Sequence, residues 1–415
     1  MSDNIYIIGV GMIKFGKYLD KSVKDLTGEA LQEVIRDADI PMDDIEAAWF
    51  SNSQWGMYAF QHCIRGQVAL SAHGLDRISI VNVENACASG STALHSAWTA
   101  IKAGLYDCTL AIGVEKLFDD DHKKVMKGFM AGTDVEETTR MIEKIKNEQQ
   151  QKAFQEKGHK DKSKKNGGRS VFMDFYASGA RRHMEQYGTT QHQLAVIAAK
   201  AHNNSALNPL AQYTFPMTVE QVMADREVVY PLTRAMCAPI GDGAAAAILC
   251  SERFLKKHGR KRAIKICASV IKSGTRGGPS NTTQQASKTA YEAAGLGPQD
   301  IDVAEVHDAT AFGELSQYEK LGFCPEGEGG PFAESGATAI GGKIPVNTSG
   351  GLISRGHPIG ASGLAMTHEL TTQLRGEAKK RQVENARIAL AENGGGALGV
   401  GPAAVAIHIF RKAGR

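Results

Sequence analysis

The chain has 415 residues, which is long enough for two domains or for one large duplicated α/β body. Hydrophobic residues make up 42% of the sequence, charged residues 22%, and 45 positions are glycine, a composition typical of a globular enzyme and not of a disordered or fibrous chain. The formal net charge is only +3, and much of the basic excess lies in residues 157–169, which argues against a nucleic-acid-binding function.

The apolar segments of the sequence are all short. Segments such as 244–250 fall far below the roughly 20 residues needed to cross a bilayer, and the N-terminal residues lack the basic and apolar regions of a secretion signal. We therefore expect a cytoplasmic enzyme with no membrane partner. The seven cysteines are widely spaced and include no C-x-x-C pair, so we expect neither a disulfide framework nor a structural metal site.

The first half of the chain begins with a predicted strand, helix and strand. Residues Ile5–Val10 form a short apolar run that ends at Gly11, which predicts a buried strand. A helix should follow from about Ser22, because this residue can cap a helix that has apolar side chains at helical spacing. An acidic pair then leads into a second predicted strand at Ile45–Phe50.

The same order of elements returns in the second half. The pattern there predicts a strand at Ile264–Ile271, a helix at Asn281–Ala294 and a strand at Val303–Val306. A repeat of helix, short acidic loop and strand indicates an internal duplication. We therefore expect an N-terminal half at residues 1–253 and a C-terminal half at residues 254–415.

A region of different composition lies between these halves, at about residues 118–233. Residues 119–170 are rich in Lys, Glu, Gln and Asp and have few apolar positions, which predicts a helical, partly solvated insertion. After it, Ala245–Leu249 should be the strand that closes the first half. Residues Glu252–Arg262 are predicted to be a charged linker.

Cys87 lies in the most informative segment of the chain. A predicted strand stops at Asn85, and a helix should begin near Ser89, with Cys87 in the turn of small residues between them. A cysteine at a helix N-terminus is close to the positive end of the helix dipole and to free N–H groups, which favours the thiolate. A buried structural cysteine is the alternative, but the small neighbours leave room for a substrate beside the sulfur.

Two histidines are candidates for catalytic residues that act together with this cysteine. His357 lies in a glycine-rich loop that leads into a helix from about Ala361, and a neutral imidazole near a cysteine can accept its proton. His307 follows the strand Val303–Val306, and strand ends commonly present functional groups. Either histidine alone could equally well bond within its own turn.

The glycines at 394–396 follow a predicted strand at Ile388–Ala391. Consecutive glycines let the backbone come close to a ligand and offer N–H donors to a developing oxyanion. A sharp turn that binds nothing explains this segment equally well.

Taken together and in this order, these motifs resemble the thiolase superfamily, in its sterol-carrier-protein-2-like branch. The residues that carry the resemblance are Asn85–Gly90, His307-Asp308, Gly356–Pro358 and the glycines at 394–396. The resemblance extends from the first strand to the last. It implies the α/β thiolase fold, a duplicated five-layered α-β-α-β-α body, with a loop domain inserted into the first half at about 118–233.

The resemblance also implies a role for each motif. Cys87 would be the acylated nucleophile, and His357 would activate it and help to hold the thioester oxygen. His307 would lie in the same oxyanion hole. The backbone N–H of Cys87 and that of a glycine in the last motif, with Gly394 and Gly395 as candidates, would form a second hole for the tetrahedral intermediate.

Acyl-CoA and coenzyme A would then be the ligands, with coenzyme A as a co-substrate and no permanently bound cofactor. In this family the loop domain and the rim of the pocket bind coenzyme A, which implies Phe175, Ala238 and Thr310 as candidate contacts. The basic run at 157–169 could attract the nucleotide phosphates, although a solvated face explains it too.

The sequence departs from the usual thiolase pattern at one point. Thiolases usually have a second cysteine for proton transfer, either in the C-terminal glycine-rich loop or directly after the His-Asp pair. Here that loop contains Glu392 and Asn393, and Ala309 follows the His-Asp pair. Acyl transfer through Cys87 is expected, whereas condensation of acetyl groups is in question, and Glu392 and Asn393 are the candidates for the missing proton transfer.

The function implied by the resemblance is that of an acyl-CoA C-acyltransferase, a thiolase that cleaves a 3-oxoacyl-CoA with coenzyme A. An unusual aromatic or branched substrate, such as the benzoylsuccinyl-CoA of bacterial aromatic degradation, would fit the departure. Two alternatives stay open, an aldolase or lyase on the same fold and a non-catalytic thioester-binding subunit. A homodimer is expected, and a hetero-oligomer with a small zinc-ribbon/OB-fold protein is a further hypothesis.

Overall fold

The structure is a computed structural model that describes residues 4–140, 143–144, 170–259, 262–277 and 281–413. The strands are β1 (Ile5–Met12), β2 (Ala47–Ser51), β3 (Ser79–Val83), β4 (Cys108–Glu115), β5 (Glu227–Val229), β6 (Leu232–Thr233), β7 (Gly243–Ser251), β8 (Ile264–Ser273), β9 (Val303–Glu305), β10 (Ile388–Gly395) and β11 (Ala404–Lys412). The helices are α1 (Val23–Ala38), α2 (Trp55–Ala59), α3 (Arg65–Ser71), α4 (Ser89–Lys102), α5 (His122–Met130), α6 (Val171–Tyr187), α7 (Gln191–Ser205), α8 (Val219–Ala224), α9 (Glu252–His258), α10 (Thr282–Ala294), α11 (Ala311–Lys320), α12 (Gly329–Glu334) and α13 (Ser362–Arg375). Among the described residues, none of the helices is both long enough and apolar enough to span a membrane.

Nine of the strands form one sheet in the order β3-β2-β4-β7-β1-β8-β11-β10-β9. The contact between β1 and β8 consists of only two residue pairs, Tyr6 with Lys265 and Ile7 with Ile264. This short contact therefore joins two half-sheets that each have their own long ladders.

The two half-sheets have the same topology. In the first, β2 pairs in parallel with β3 and β4, while β7 is antiparallel to both β4 and β1. In the second, β9 pairs in parallel with β10 and with an isolated bridge at Val346, while β11 is antiparallel to both β10 and β8. The strand order thus repeats along the chain, although the boundary between residues 253 and 254 stays a prediction.

Helices cover both half-sheets and also lie between them. Alternate residues of β7 face opposite sides, as the two-residue period of a strand requires: Ala246 and Ile248 pack with α1, whereas Ala247 and Leu249 pack with the central helices α4 and α13. On the far side of the second half-sheet, α10 packs against β11. The layers are therefore α-β-α-β-α, and the predicted thiolase fold is confirmed.

The two central helices cross in close contact through glycines. A Cβ atom on Gly90 of α4 would lie 3.0 Å from the carbonyl oxygen of Gly360, and one on Gly363 of α13 would lie 2.5 Å from the backbone nitrogen of Ser91. Only residues without side chains allow this approach. The crossing brings the N-terminus of α4, preceded by Cys87, close to the loop that leads into α13.

Local sequence patterns predicted most of these elements. Ser22 caps α1, since its hydroxyl accepts a hydrogen bond from the N–H of Asp25 and the Asp25 carboxylate accepts one from the N–H of Ser22. The charged linker predicted at Glu252–Arg262 is wrong, because its first part is helix α9, with Phe254 buried beneath a charged outer face. The predicted insertion contains α5 to α8, while its basic run at 157–169 lies outside the described residues.

A buried ion pair connects β9 to the segment that precedes His357. The carboxylate of Glu305, at the end of β9, accepts hydrogen bonds from the Arg355 guanidinium at 2.9 Å and from the backbone and hydroxyl of Ser349. The side chains of Glu305 and Arg355 are almost completely buried. Because a lone buried charge is very unfavourable, each of these two groups depends on the other.

Asp308 provides a second connection to the same segment. Its carboxylate accepts the N–H of Leu352 at 2.6 Å and that of Ile353 at 3.4 Å, at the start of a π-helical turn at Gly351–Arg355. The strand that presents His307 therefore also holds the loop that presents His357.

Replacing Arg355 with leucine should lower the free energy of unfolding by about 3–5 kcal/mol, because Glu305 would be left buried without its cation. Denaturant unfolding measures this loss. Lys288→Leu is the control, since its carboxylate partner Glu292 is 4.0 Å away and both side chains are largely exposed, and we expect a change below about 0.5 kcal/mol. Equal losses in the two variants would contradict the prediction.

Candidate active site

The three residues predicted to be catalytic meet at the wall of one large cavity of about 1390 Å³. The sulfur of Cys87 and one ring nitrogen each of His307 and His357 lie within 4.8 Å of one another. The two imidazoles meet edge to face, with 5.2 Å between ring centroids. In the part of the chain that the structure describes, this is also the one cluster whose spacing would suit a metal ion, although a thiol and two imidazoles suit acid–base chemistry equally well.

The turn that carries Cys87 packs directly against the end of β10. Residues Ala86–Ala88 form one turn of 3-10 helix before α4. A Cβ atom on Gly395 would lie 2.6 Å from the nitrogen of Ala88 and closer still to the carbonyl oxygen of Asn85, so glycine is required there. The backbone N–H of Gly396 favours the ionised form of the Cys87 sulfur.

The surroundings of Cys87 favour the thiol and not the thiolate. Burial raises the pKa of Cys87 to about 12, and the nearby carboxylates of Glu115 and Glu84 add to this effect, while the N–H of Gly396 opposes it. Loss of solvation thus opposes the ionised sulfur that a position at a helix N-terminus would favour. A base must remove the proton when the sulfur attacks.

His357 is arranged to be that base. Its Nδ1 lies 2.7 Å from the hydroxyl of Ser362, and this hydroxyl donates its only proton to the carbonyl of Pro358 at 2.9 Å. The hydroxyl must therefore accept a proton from Nδ1, which leaves Nε2 with a free lone pair. Burial, and then the neighbouring His307 and Arg355, lower the pKa of His357 well below its usual value, so the ring is neutral.

His307 has the opposite tautomer. The Asn393 amide nitrogen lies 3.2 Å from its Nδ1, and the Asn393 oxygen accepts a hydrogen bond from the Ser91 hydroxyl at 3.0 Å. Because the amide nitrogen also donates to the Gly394 carbonyl at 3.4 Å and the amide oxygen accepts from Ser91, Nδ1 of His307 accepts and Nε2 carries the proton. Burial lowers the pKa of His307 to about 4, so a neutral ring presents an N–H donor.

Asn393 was one of the two candidates for proton transfer. It cannot have this role, because an amide neither takes up nor releases a proton near neutral pH. It positions His307. The other candidate, Glu392, lines the cavity, and one of its carboxylate oxygens accepts a hydrogen bond from the backbone N–H of His307 at 2.9 Å.

Of the three candidate contacts for coenzyme A, the structure places two at the cavity. Phe175 and Ala238 line it. Thr310 does not, and its prediction is wrong: the side chain is completely buried, and its hydroxyl caps α11 by accepting the N–H of Gly313. The residue before it, Ala309, lines the cavity instead.

Gly394 and Gly395, the predicted oxyanion donors, both line the cavity, but they belong to β10 and lie opposite Val405 and Ala404. The glycine whose backbone N–H lowers the pKa of the Cys87 thiol is Gly396. Their role as donors stays a prediction.

Two further sets of cavity residues were not predicted, because they come from distant segments without a motif. One set is aromatic and consists of Phe129, Phe172, Tyr176, Tyr213 and Phe312. The other is cationic and consists of Arg182, Arg226, Arg234 and Arg276.

Two family models match the chain. The one described as "Thiolase, N-terminal domain" matches residues 5–231, and the one described as "Thiolase C-terminal domain-like" matches residues 274–408. The chain belongs to the thiolase family. The resemblance inferred from the motifs is thereby confirmed.

Curated relatives of this thiolase are similar over almost the whole chain. An acetyl-CoA acetyltransferase of Methanothermobacter thermautotrophicus is 39% identical over 416 residues, which cover 99% of this chain and 100% of the relative. Sterol carrier protein 2 of Bos taurus is 38% identical over 422 residues (98% and 72%), and benzoylsuccinyl-CoA thiolase subunit BbsB of Thauera aromatica is 33% identical over 402 residues (94% and 94%). The protein is thus an enzyme, an acyltransferase of the thiolase type.

Solved structures confirm the fold of this thiolase. The Ltp2-ChsH2(DUF35) aldolase superimposes with a TM-score of 0.76 at 20% identity, covering 100% of this chain and 99% of that one. Human mitochondrial 3-ketoacyl-CoA thiolase superimposes with a TM-score of 0.67 at 16% identity, covering 99% of each chain.

Alkylation of Cys87 by iodoacetamide should rise steadily with pH and reach no plateau in the neutral range, because the pKa of the thiol is raised to about 12. Mass spectrometry of peptides from the ligand-free enzyme measures this rate. The exposed Cys63 shows in the same spectra whether the reagent is active. A plateau near neutral pH would mean that the sulfur is ionised after all.

Proposed function

We propose that this thiolase cleaves a 3-oxoacyl-CoA with coenzyme A through an acyl-enzyme on Cys87. The observation that carries the proposal is the meeting of this thiol with two neutral histidines of opposite tautomers, all within 4.8 Å. One imidazole offers a lone pair that can take the thiol proton, and the other offers an N–H donor that can stabilise the enolate formed when the carbon–carbon bond breaks.

In the proposed first step, Nε2 of His357 takes the proton of Cys87 while the sulfur attacks the ketone carbon of the substrate. The N–H groups of Cys87 and of one glycine in 394–396 stabilise the resulting oxyanion. The bond between C2 and C3 then breaks and leaves the acyl group on Cys87. The N–H at Nε2 of His307 stabilises the enolate oxygen of the departing thioester.

The cavity suggests a bulky acyl group. Its volume of about 1390 Å³ exceeds the roughly 300–1,000 Å³ typical of small-molecule sites, and aromatic side chains form part of its wall. The four cavity arginines would suit the phosphates of coenzyme A. Together with the likeness to a benzoylsuccinyl-CoA thiolase subunit, these features support an aromatic 3-oxoacyl-CoA, such as benzoylsuccinyl-CoA, as substrate.

A lyase on the same fold is the second candidate, because an aldolase has the same fold at 20% identity. An intact cluster of cysteine and two histidines favours the thiolase. The same cluster argues against a non-catalytic thioester-binding subunit.

Incubation with a 3-oxoacyl-CoA should leave a stoichiometric acyl adduct on Cys87, detected by mass spectrometry after rapid quenching. Cys87→Ala should lose the adduct and lower turnover by at least about 10³-fold, because the nucleophile is gone. Cys237→Ala is the matched control, since this second cavity thiol donates to the Thr233 carbonyl, and we expect unchanged turnover. Full turnover in Cys87→Ala would indicate a lyase, and no turnover by the unaltered enzyme with any thioester would indicate a binding subunit.

A homodimer is part of the same proposal. Strand β3 forms one edge of the sheet and, among the described strands, pairs only with β2. Its Val81 is 45% exposed. A free edge with an exposed apolar residue suits pairing with the same strand of a second copy. A further small zinc-ribbon/OB-fold subunit is proposed by analogy with the Ltp2-ChsH2(DUF35) aldolase, which by its name has two components.

Val81→Lys should shift the enzyme from dimer towards monomer, because a charge on an edge strand opposes strand pairing. Size-exclusion chromatography with mass measurement tests this. The control is Leu105→Lys, which puts the same charge on an exposed apolar residue outside the strands. An unaltered mass for Val81→Lys would exclude this edge as the interface, and a dimer without a companion after co-expression with its genomic neighbour would count against the hetero-oligomer.

A further inference from the structure

The proposed cleavage needs a proton at C2 of the departing thioester, and the sequence offers no second cysteine at the usual positions to supply it. Glu392 lies on β10, and one of its carboxylate oxygens accepts a hydrogen bond from the backbone N–H of His307 at 2.9 Å. Its other oxygen, Oε1, has no hydrogen-bond partner among the described residues, although Glu392 is completely buried. Buried polar atoms are nearly always paired, so an unpaired carboxylate oxygen at a cavity wall indicates a group that interacts with a ligand.

Oε1 and the His307 ring border the same small space. A methyl group placed on Gly394 would lie 3.6 Å from Oε1 and 4.0 Å from Cδ2 of His307. Both residues also line the cavity that contains Cys87. The free oxygen is therefore beside the group that is proposed to stabilise the enolate.

Three charged or titratable side chains from other segments of the chain surround Glu392. His307 is neutral, Tyr176 of α6 is a phenol whose pKa is raised by burial, and Lys320 at the end of α11 is cationic. Burial raises the pKa of Glu392 to about 7, while the backbone N–H of His307 and the charge of Lys320 oppose this rise. Both protonation states of the carboxyl are therefore populated near neutral pH.

Three other groups at the cavity are already engaged. His357 is the proposed base for the Cys87 thiol, Nδ1 of His307 accepts a hydrogen bond from Asn393, and the Cys237 thiol donates one to the Thr233 carbonyl. Asn393 is an amide and cannot titrate.

We propose that Glu392 is the second acid–base group of this active site, and that its Oε1 carries the proton exchanged with C2 of the acyl thioester. This proposal rests on the acyl-enzyme at Cys87. As the bond between C2 and C3 breaks, its electron pair moves to C2, and the protonated carboxyl gives its proton to C2. The carboxylate then takes the proton of incoming coenzyme A, whose sulfur attacks the acyl group, and Cys87 leaves and recovers its own proton from His357.

The test separates proton transfer at C2 from acylation of Cys87. Acetyl-CoA incubated with the enzyme in D2O should acquire deuterium at C2, because the carboxylate removes a proton and returns a deuteron. Glu392→Gln should slow this exchange by about 10²-fold or more, whereas Cys87 of the variant should still be acylated, at a lower rate, because the nucleophile and its base His357 are unchanged. Glu326→Gln is the matched control, since it removes a carboxylate at the same cavity that accepts a hydrogen bond from the Tyr187 hydroxyl, and its exchange rate should not change.

The pH dependence gives a second measurement. Exchange by the unaltered enzyme should increase as the pH rises through about 7, the pKa of Glu392, because the carboxylate is the base, and Glu392→Gln should lose this rise. Should Glu392→Gln fail to fold, Glu392→Asp keeps a carboxyl group but shortens the side chain by one methylene, so the acid lies farther from the space beside His307, and it should reduce exchange while Cys87 is still acylated. Exchange at the unaltered rate in the folded variant would overturn the assignment of Glu392, whereas absence of a Cys87 adduct in the unaltered enzyme would overturn the proposed function instead.

Discussion

The close crossing of the two central helices is the constraint on which the site depends. Gly90 and Gly363 let the backbones of α4 and α13 touch, so the turn that carries Cys87 and the loop that carries His357 begin side by side. A side chain at either position would separate the helices and move the sulfur away from its base. The chemistry of this enzyme is thus set by a contact in its interior that involves no catalytic atom.

Buried carboxylates then hold the loops around this crossing. Glu115, at the end of β4, accepts the N–H groups of Ser53, Gln54 and Gly360 at 2.9–3.0 Å. Glu305 and Asp308 hold the preceding part of the His357 loop from the other half-sheet. Because both half-sheets fix the same loop, the imidazole has little freedom to move away from the thiol.

The fold was predictable from the sequence where the signals are local. Short apolar runs marked the strands, Ser22 marked a helix start, and small residues around Cys87 marked a tight turn before a helix. Helix α9 was missed because its buried face consists of little more than Phe254 among charged residues. The sequence also identified which three side chains form the reactive cluster, since each lies at the end of a predicted element.

The protonation states of that cluster could not be predicted in this way. The tautomer of His307 depends on Ser91, which lies 302 residues from Asn393, and the pKa of Cys87 depends on how completely the fold removes water. Thr310 was misplaced for a similar reason, because the direction of a side chain at a helix start is decided by packing. Local sequence identifies functional groups, whereas tertiary contacts decide their charge.

The repeated topology has a consequence for how such a site can arise. In a symmetric pair of identical half-length chains, both inner helices would be preceded by the same residue. The site would then contain either two cysteines or two histidines, and not one of each. Joining the copies in one polypeptide removes that restriction. One copy can then specialise as the attacking group and the other as its proton acceptor, and neither copy retains an activity that it could carry out alone.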